Sequence, residues 1–233
     1  NWFKRLGPPG GTYLGRFDGG AEQTKKQGTS GATQDRYMHG GAGMVLGREE
    51  DGSIVWSGFA YLPPSADGAP STLPVTNNVA ERRALCLLVH QLVILQPTMQ
   101  AHSVTIFGDS ELIIYQVLGQ YQVTDTTAQA EIKTIQEHMA TLKAHSCSVS
   151  LRWQSRVHNG GPDDLAALAM HRRASSHRFQ EAAAPRRSSR HSTSGFRTPH
   201  PTLSAMEEGR HGFEELWQEK GALGQMAPAT RAL

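Results

Sequence analysis

The hydrophobic period changes once along this chain, and that change limits the fold more than any other feature. Up to residue 62 the apolar residues come in short strand-length runs, at 13–17, 42–46 and 54–62. From residue 77 they fall at helical spacing instead, with Leu85, Leu88, Val89, Leu92 and Leu95 along one helix. Asp51-Gly52 lies between the second and third runs, and Asp-Gly in that setting predicts a hairpin. The helix over 77–96 is expected to stop at Pro97, which has no N–H to continue it. Residues 104–107 predict a short buried strand, 110–118 and 128–144 two helices, and 149–153 another strand. A last helix begins at Pro162, proline being favoured at a first helical position, and runs to about residue 169. The order β-β-β-α-β-α-α-β-α predicts an α/β fold. Its mixed five-stranded sheet, a three-strand antiparallel meander followed by αβ units, would carry helices on both faces.

The connections differ in kind. Residues 1–11, with Gly7-Pro8-Pro9-Gly10-Gly11, are expected to be a flexible lead-in. Residues 22–41 are polar, glycine-rich and aperiodic, and predict a loop. Residues 63–74 predict a turn-rich connection. From 171 to 233 the chain is rich in Arg, Ser, His and Pro, and a disordered tail is expected, with one short helical pattern around Phe213, Leu216 and Trp217. The folded domain is therefore expected over 12–170.

Charge divides at the same boundary. Up to Ala169 there are 13 Lys and Arg against 15 Asp and Glu; from Met170 on there are 10 against 6. The basic excess lies in the tail, so bulk charge does not mark the domain as a nucleic-acid binder. The longest apolar run, 84–95, is broken by His90 and Gln91 and falls short of the roughly 18–20 residues of a membrane helix. No membrane association is expected. Cys86 and Cys147 are too few for a disulfide framework or a zinc site, which suits a reducing, intracellular compartment. A chain that opens on Asn1 is expected to be a fragment or a processed product.

Four carboxylates stand where a strand ends or a helix begins: Asp18, Glu81, Asp109 and Asp163. In open α/β sheets such junctions gather at one edge. Four acids meeting there would repel one another unless cations neutralised them, and oxygen-only ligands suit Mg²⁺ or Mn²⁺. Each acid also has a purely structural reading. Asp18 precedes Gly19-Gly20 as a turn aspartate would. Glu81 completes a capping-box pattern from Asn78. Asp109 can cap a helix, and Asp163 suits the positive end of a helix dipole.

Further segments bear on the choice. Phe17-Asp18-Gly19-Gly20-Ala21, Thr76-Asn77-Asn78-Val79-Ala80-Glu81, Gly108-Asp109-Ser110 and Asn159-Gly160-Gly161-Pro162-Asp163-Asp164-Leu165-Ala166 follow one another in the order and rough spacing of type 1 RNase H domains. The stretches 111–119 and 153–159 resemble that family's helix after the third acid and its last strand with a short loop. The resemblance covers residues 12–170 and is to the short-loop form of cellular and retroelement-derived members. It implies an RNase H-like fold and a metal-dependent endonuclease that hydrolyses the RNA strand of RNA–DNA hybrids, leaving 5′-phosphate and 3′-hydroxyl ends. It makes Asp18, Glu81, Asp109 and Asp163 the ligands of two Mg²⁺ ions, with Mn²⁺ an alternative, about 4 Å apart. Asp164 competes with Asp163, but the family's acid stands two residues before a Leu-Ala pair, here Leu165-Ala166.

The resemblance further implies substrate contacts from Gly19, Gly20, Thr76, Asn77, Asn78, Ser110 and Arg156. Gly19, Gly20, Asn77 and Asn78 would read the 2′-hydroxyl; Thr76 and Arg156 would meet phosphates. Asn77 and Asn78 also read as helix caps, and Arg156 as a solvated strand-end residue. His158 reads as a loop histidine or a proton shuttle. Pro162 departs from the small residue usual there, and no lysine cluster follows Gly119 to form a basic protrusion. The partner implied is an RNA–DNA hybrid, bound by a monomer. The rival readings are a decayed hybrid-binding module, a domain cut from a retroelement polyprotein, and another nuclease or integrase on the same fold.

Overall fold

Tyr13, Gly15 and Phe17 alternate with Leu14, Arg16 and Asp18, and the two-residue period of a strand sends the two sets to opposite faces. They begin β1 (Thr12–Lys25), the strand around which the sheet is built. The computed structural model describes residues 9–25, 36–64 and 75–179. After β1 come β2 (Arg36–Arg48), β3 (Ile54–Leu62), α1 (Asn77–Met99), β4 (Ser103–Gly108), α2 (Glu111–Val117), α3 (Thr126–Ala144), β5 (Ser148–Trp153), a 3₁₀ turn (Arg156–His158), α4 (Gly160–Arg172) and β6 (Ser176–Phe179). The sheet runs β5-β4-β1-β2-β3-β6. Strands β1, β2 and β3 form the antiparallel meander, turned between β2 and β3 at Gly52 (φ +67°). Strands β4 and β5 add in parallel on the other side of β1.

Two layers of helix cover the sheet. On one face α1 buries Leu85, Leu88, Leu92 and Leu95 in one core cluster with Tyr13, Phe17, Met44, Leu46 and Trp56. On the other face Leu165 and Ala169 of α4 pack with Val45 and Phe59. Both cysteines are buried and free. Among the described residues no helix is long and apolar enough to cross a membrane.

The expected α/β architecture is present, with four local differences. The sheet has six strands, not five: residues 176–179, read from composition as tail, pair antiparallel with β3. An edge strand offers unpaired N–H and C=O groups, and a polar segment can satisfy them without apolar side chains. Residues 22–25 and 36–41, read as loop, are strand. Their glycines hid the pattern, because glycine here serves close packing rather than a turn. Helix α1 runs past Pro97 to Met99, since a proline in the last turn forfeits only one bond. Gln100 then ends it at φ 46°, its N–H donating to Gln96 O at 2.8 Å. Helix α4 starts at Gly160, so Pro162 is its third residue, still within the turn whose N–H groups have no helical partner. Most of the lead-in, the centre of the 22–41 segment, most of 63–74, and the tail beyond 179 lie outside the described residues.

Candidate active site

Strand β1 supplies the first acid and outruns its parallel neighbour. Its register with β4 closes at Arg16↔Phe107, and β4 ends at Gly108. Asp109 therefore steps off the sheet beside Asp18. Asp18 itself continues in the ladder, opposite Gly43 of β2.

Two glycines bring in the remaining acids. A Cβ on Gly19 would overlap the backbone of Ala80 and Glu81, so only glycine lets α1 lie directly on the strand and deliver Glu81 next to Asp18. A Cβ on Gly43 would overlap Pro162 O, and this contact seats the first turn of α4, with Asp163, on the opposite face. One acid thus comes from the middle of the sheet, one from its end, and one from a helix on each face.

Asp18 is 6% exposed. Its Oδ1 accepts from Gly19 N at 2.7 Å, and its Oδ2 is buried with no hydrogen-bond partner. Burial first, then the charges of Asp109, Asp163 and Glu81, push its carboxyl up to about 7 against the pull of the Gly19 N–H. Burial also raises Glu81, with Asp109 adding to the shift. The Ser110 hydroxyl, Arg82 and Arg156 oppose it, and Glu81 Oε2 is likewise buried without a partner. Asp163 is half-exposed and accepts from Arg156 Nη2 at 3.1 Å. Asp164 is exposed and does not figure among the charges acting on Asp18.

Among the described residues no three His, Cys, Asp or Glu side chains are already drawn into metal-holding geometry. The four acids are electrostatic neighbours, not a closed shell. Their chemistry still fits a hard divalent cation: every donor is oxygen, and two buried oxygens have no partner.

Comparison with solved structures finds this fold elsewhere. RNase H1 of the halophilic archaeon Halobacterium salinarum superposes with a TM-score of 0.51 at 22% identity, over 70% of this chain and 99% of that one. LC11-RNase H1, in complex with an RNA/DNA hybrid, gives 0.53 at 22% identity, over 69% and 98%. The N-terminal RNase H domain of a Mycobacterium tuberculosis protein gives 0.51 at 20% identity, over 69% and 94%. The chain has the type 1 RNase H fold. No protein-family model matches the sequence, and no curated protein matches it.

Within this RNase H fold the other expected site residues divide. Thr76 is the N-cap of α1, its hydroxyl accepting from Val79 N at 3.3 Å. The cap is thus Thr76, not the Asn78-to-Glu81 box, and Glu81 is released from a capping role. Asn77 Oδ1 accepts from Ala21 N at 2.8 Å, tying α1 to β1, while Asn78 is exposed. Gly19 is buried under α1 and its N–H is taken by Asp18, so it serves packing; Gly20 is partly exposed. Ser110 precedes α2 and makes no capping bond, its side chain turning to Glu81 instead. Arg156 is three-quarters exposed on the 3₁₀ turn. His158 is exposed on that turn, where its carbonyl accepts from Arg16 Nη1 at 2.6 Å.

Sequence reading missed two residues. Asn159, fully buried, donates from Nδ2 to Phe17 O at 2.8 Å and Asp109 Oδ1 at 3.2 Å. Trp153 donates from its indole to Asp109 O at 3.1 Å. The first served only as a landmark and the second as a strand end. The available signal was a polar amide next to a glycine pair at the start of a packed helix.

Proposed function

We propose that this chain is a metal-dependent endoribonuclease that hydrolyses the RNA strand of RNA–DNA hybrids. The observation that carries the reading is Asp18: a buried carboxylate facing three others, with one oxygen unpartnered. A fold that needed only a core would not gather four acids there, because burying uncompensated charge is costly. LC11-RNase H1, which shares the fold, is in complex with an RNA/DNA hybrid, and this supports the same substrate class here.

In this reading Asp18, Glu81, Asp109 and Asp163 hold two Mg²⁺ ions, with Mn²⁺ an alternative. Bound there, the ions would favour ionisation of the attacking water and neutralise charge on the leaving O3′. The protein's share is positional. Ser110 steadies Glu81, and Arg156 is the cation beside Asp163 that can meet a phosphate oxygen. Gly20, Asn77 and Asn78 line the edge where a 2′-hydroxyl would be read. A monomer in a reducing, intracellular compartment belongs to the same reading.

The test is direct. Labelled RNA–DNA hybrid, double-stranded RNA and single-stranded RNA are each incubated with Mg²⁺ and with EDTA. Cutting of the hybrid alone, abolished by EDTA, is the expected result. Equal cutting of all three substrates refutes hybrid specificity, and cutting that survives EDTA refutes the cation requirement.

A further inference from the structure

Asn159 does not carry charge, yet it touches the segments that bear three of the four acids. Its Nδ2 donates to Phe17 O, one residue before Asp18, and to Asp109 Oδ1. Its backbone carbonyl accepts from Asp163 N at 3.3 Å. It is 0% exposed, so water does not compete for these bonds. The amide orientation is fixed by its partners: both are acceptors, and a flipped amide would set Oδ1 against two oxygens.

We infer that Asn159 is the positioning residue that sets the spacing of the acidic cluster and so its affinity for divalent cations. This rests on the proposed cation-dependent function. The physical argument is one of opposing forces. Asp18, Asp109 and Asp163 repel one another, and the strands and helix that bear them would relax apart if nothing held them. The side-chain amide ties β1 at Phe17 to the Asp109 carboxylate, the backbone carbonyl of the same residue accepts the helical bond from Asp163 N, and together these bonds oppose that relaxation. Trp153, which holds the Asp109 carbonyl, and Gln154, whose N–H donates to Gly108 O at 2.9 Å, secure the adjoining backbone but not the carboxylate.

The experiment measures cation binding apart from turnover. Mn²⁺ is titrated calorimetrically into the full chain and into Asn159→Leu, which keeps the branched skeleton and removes the donor. Asn159→Asp keeps the shape and replaces the donor with an acceptor. Both variants are expected to bind Mn²⁺ at least tenfold more weakly, with the Mg²⁺ activation midpoint for hybrid cleavage rising by a similar factor. Turnover at saturating Mg²⁺ should fall less than the affinity does. In the wild-type protein, which carries no folding risk, the Asn159 side-chain amide resonance should shift on Mg²⁺ titration with the same midpoint as the Asp109 backbone. A folded Asn159→Leu protein with Mn²⁺ affinity within twofold of wild type overturns the inference, as does an amide resonance that ignores Mg²⁺. Wild-type protein that binds no Mn²⁺ overturns the cation reading itself, and this inference with it.

Discussion

Two carboxylates in this molecule are almost equally buried and could hardly be treated more differently. Glu131, 7% exposed on α3, accepts from Arg82 Nε at 3.0 Å and Arg83 Nε at 2.7 Å, so two cations from α1 answer one anion. Asp18, 6% exposed on β1, feels the charge of three further acids and keeps an oxygen with no partner. The first is a finished structural element, an ion-pair clasp between helices. The second is a concentration of like charge, with no cation among the described residues set directly against Asp18. Burial alone therefore does not separate structure from function; what surrounds the buried charge does.

The comparison can be broken most sharply at the acidic cluster. Asp109→Asn keeps shape and removes a charge, and turnover on RNA–DNA hybrid should fall by ~10³-fold or more, on the order of 4 kcal/mol in the barrier. Steady-state cleavage by the purified variant checks this, and near-wild-type rates would take Asp109 out of the site.

The opposite pole is Glu131→Gln, which leaves two buried or half-buried arginines without their anion. It should cost about 3 kcal/mol of stability, read as a lower urea midpoint, while the folded variant still cleaves. If activity falls and stability does not, Glu131 belongs with the cluster and the contrast fails.

A smaller effect tests that concentration of charge itself. Asp18 titrates at about 7 when folded and near 3.8 when unfolded, so the native state holds its proton more tightly. Its contribution to stability is therefore intact below about pH 4 and is lost as pH rises through about 7. In EDTA at about pH 8, Asp18→Asn should be more stable than wild type by roughly 2 kcal/mol, and at about pH 4 the gain should vanish. Thermal melts across that window decide it, and added Mg²⁺ should narrow the difference at high pH.

The smallest expected effect is at the exposed rim. Arg156 and Asp163 form an exposed pair, and such pairs stabilise by ~0.2–1 kcal/mol at most. Arg156→Gln should leave the melting temperature within experimental error and yet lower cleavage severalfold, seen mainly as a higher KM. A loss of stability without a change in KM would make Arg156 a structural residue like Arg82.

Much of this was legible along the chain. The shift from strand-length runs to helical spacing predicted the element order, and the four acids stood out as candidates, although Asp18, read as a strand end, lies in the middle of β1. What escaped shares a cause. The glycines at 40 and 41 look like loop because composition registers what a residue lacks, not what packs against it. Residues 176–179 look like tail because an edge strand made of backbone bonds needs no apolar signature. Asn159 looks like a loop amide because its value lies in two partners distant in sequence, Phe17 and Asp109.

The sequence by itself determined the periodicities, the breakers and the order of the acids, all of them local properties that neighbouring residues encode. Tertiary structure alone decided that β1 outruns β4, that α1 and α4 rest on bare glycine backbone, and that one buried amide at the start of α4 reaches both β1 and Asp109. Those are matters of register and approach, set only when segments far apart in the chain exclude water together, and they turn four separate carboxylates into electrostatic neighbours.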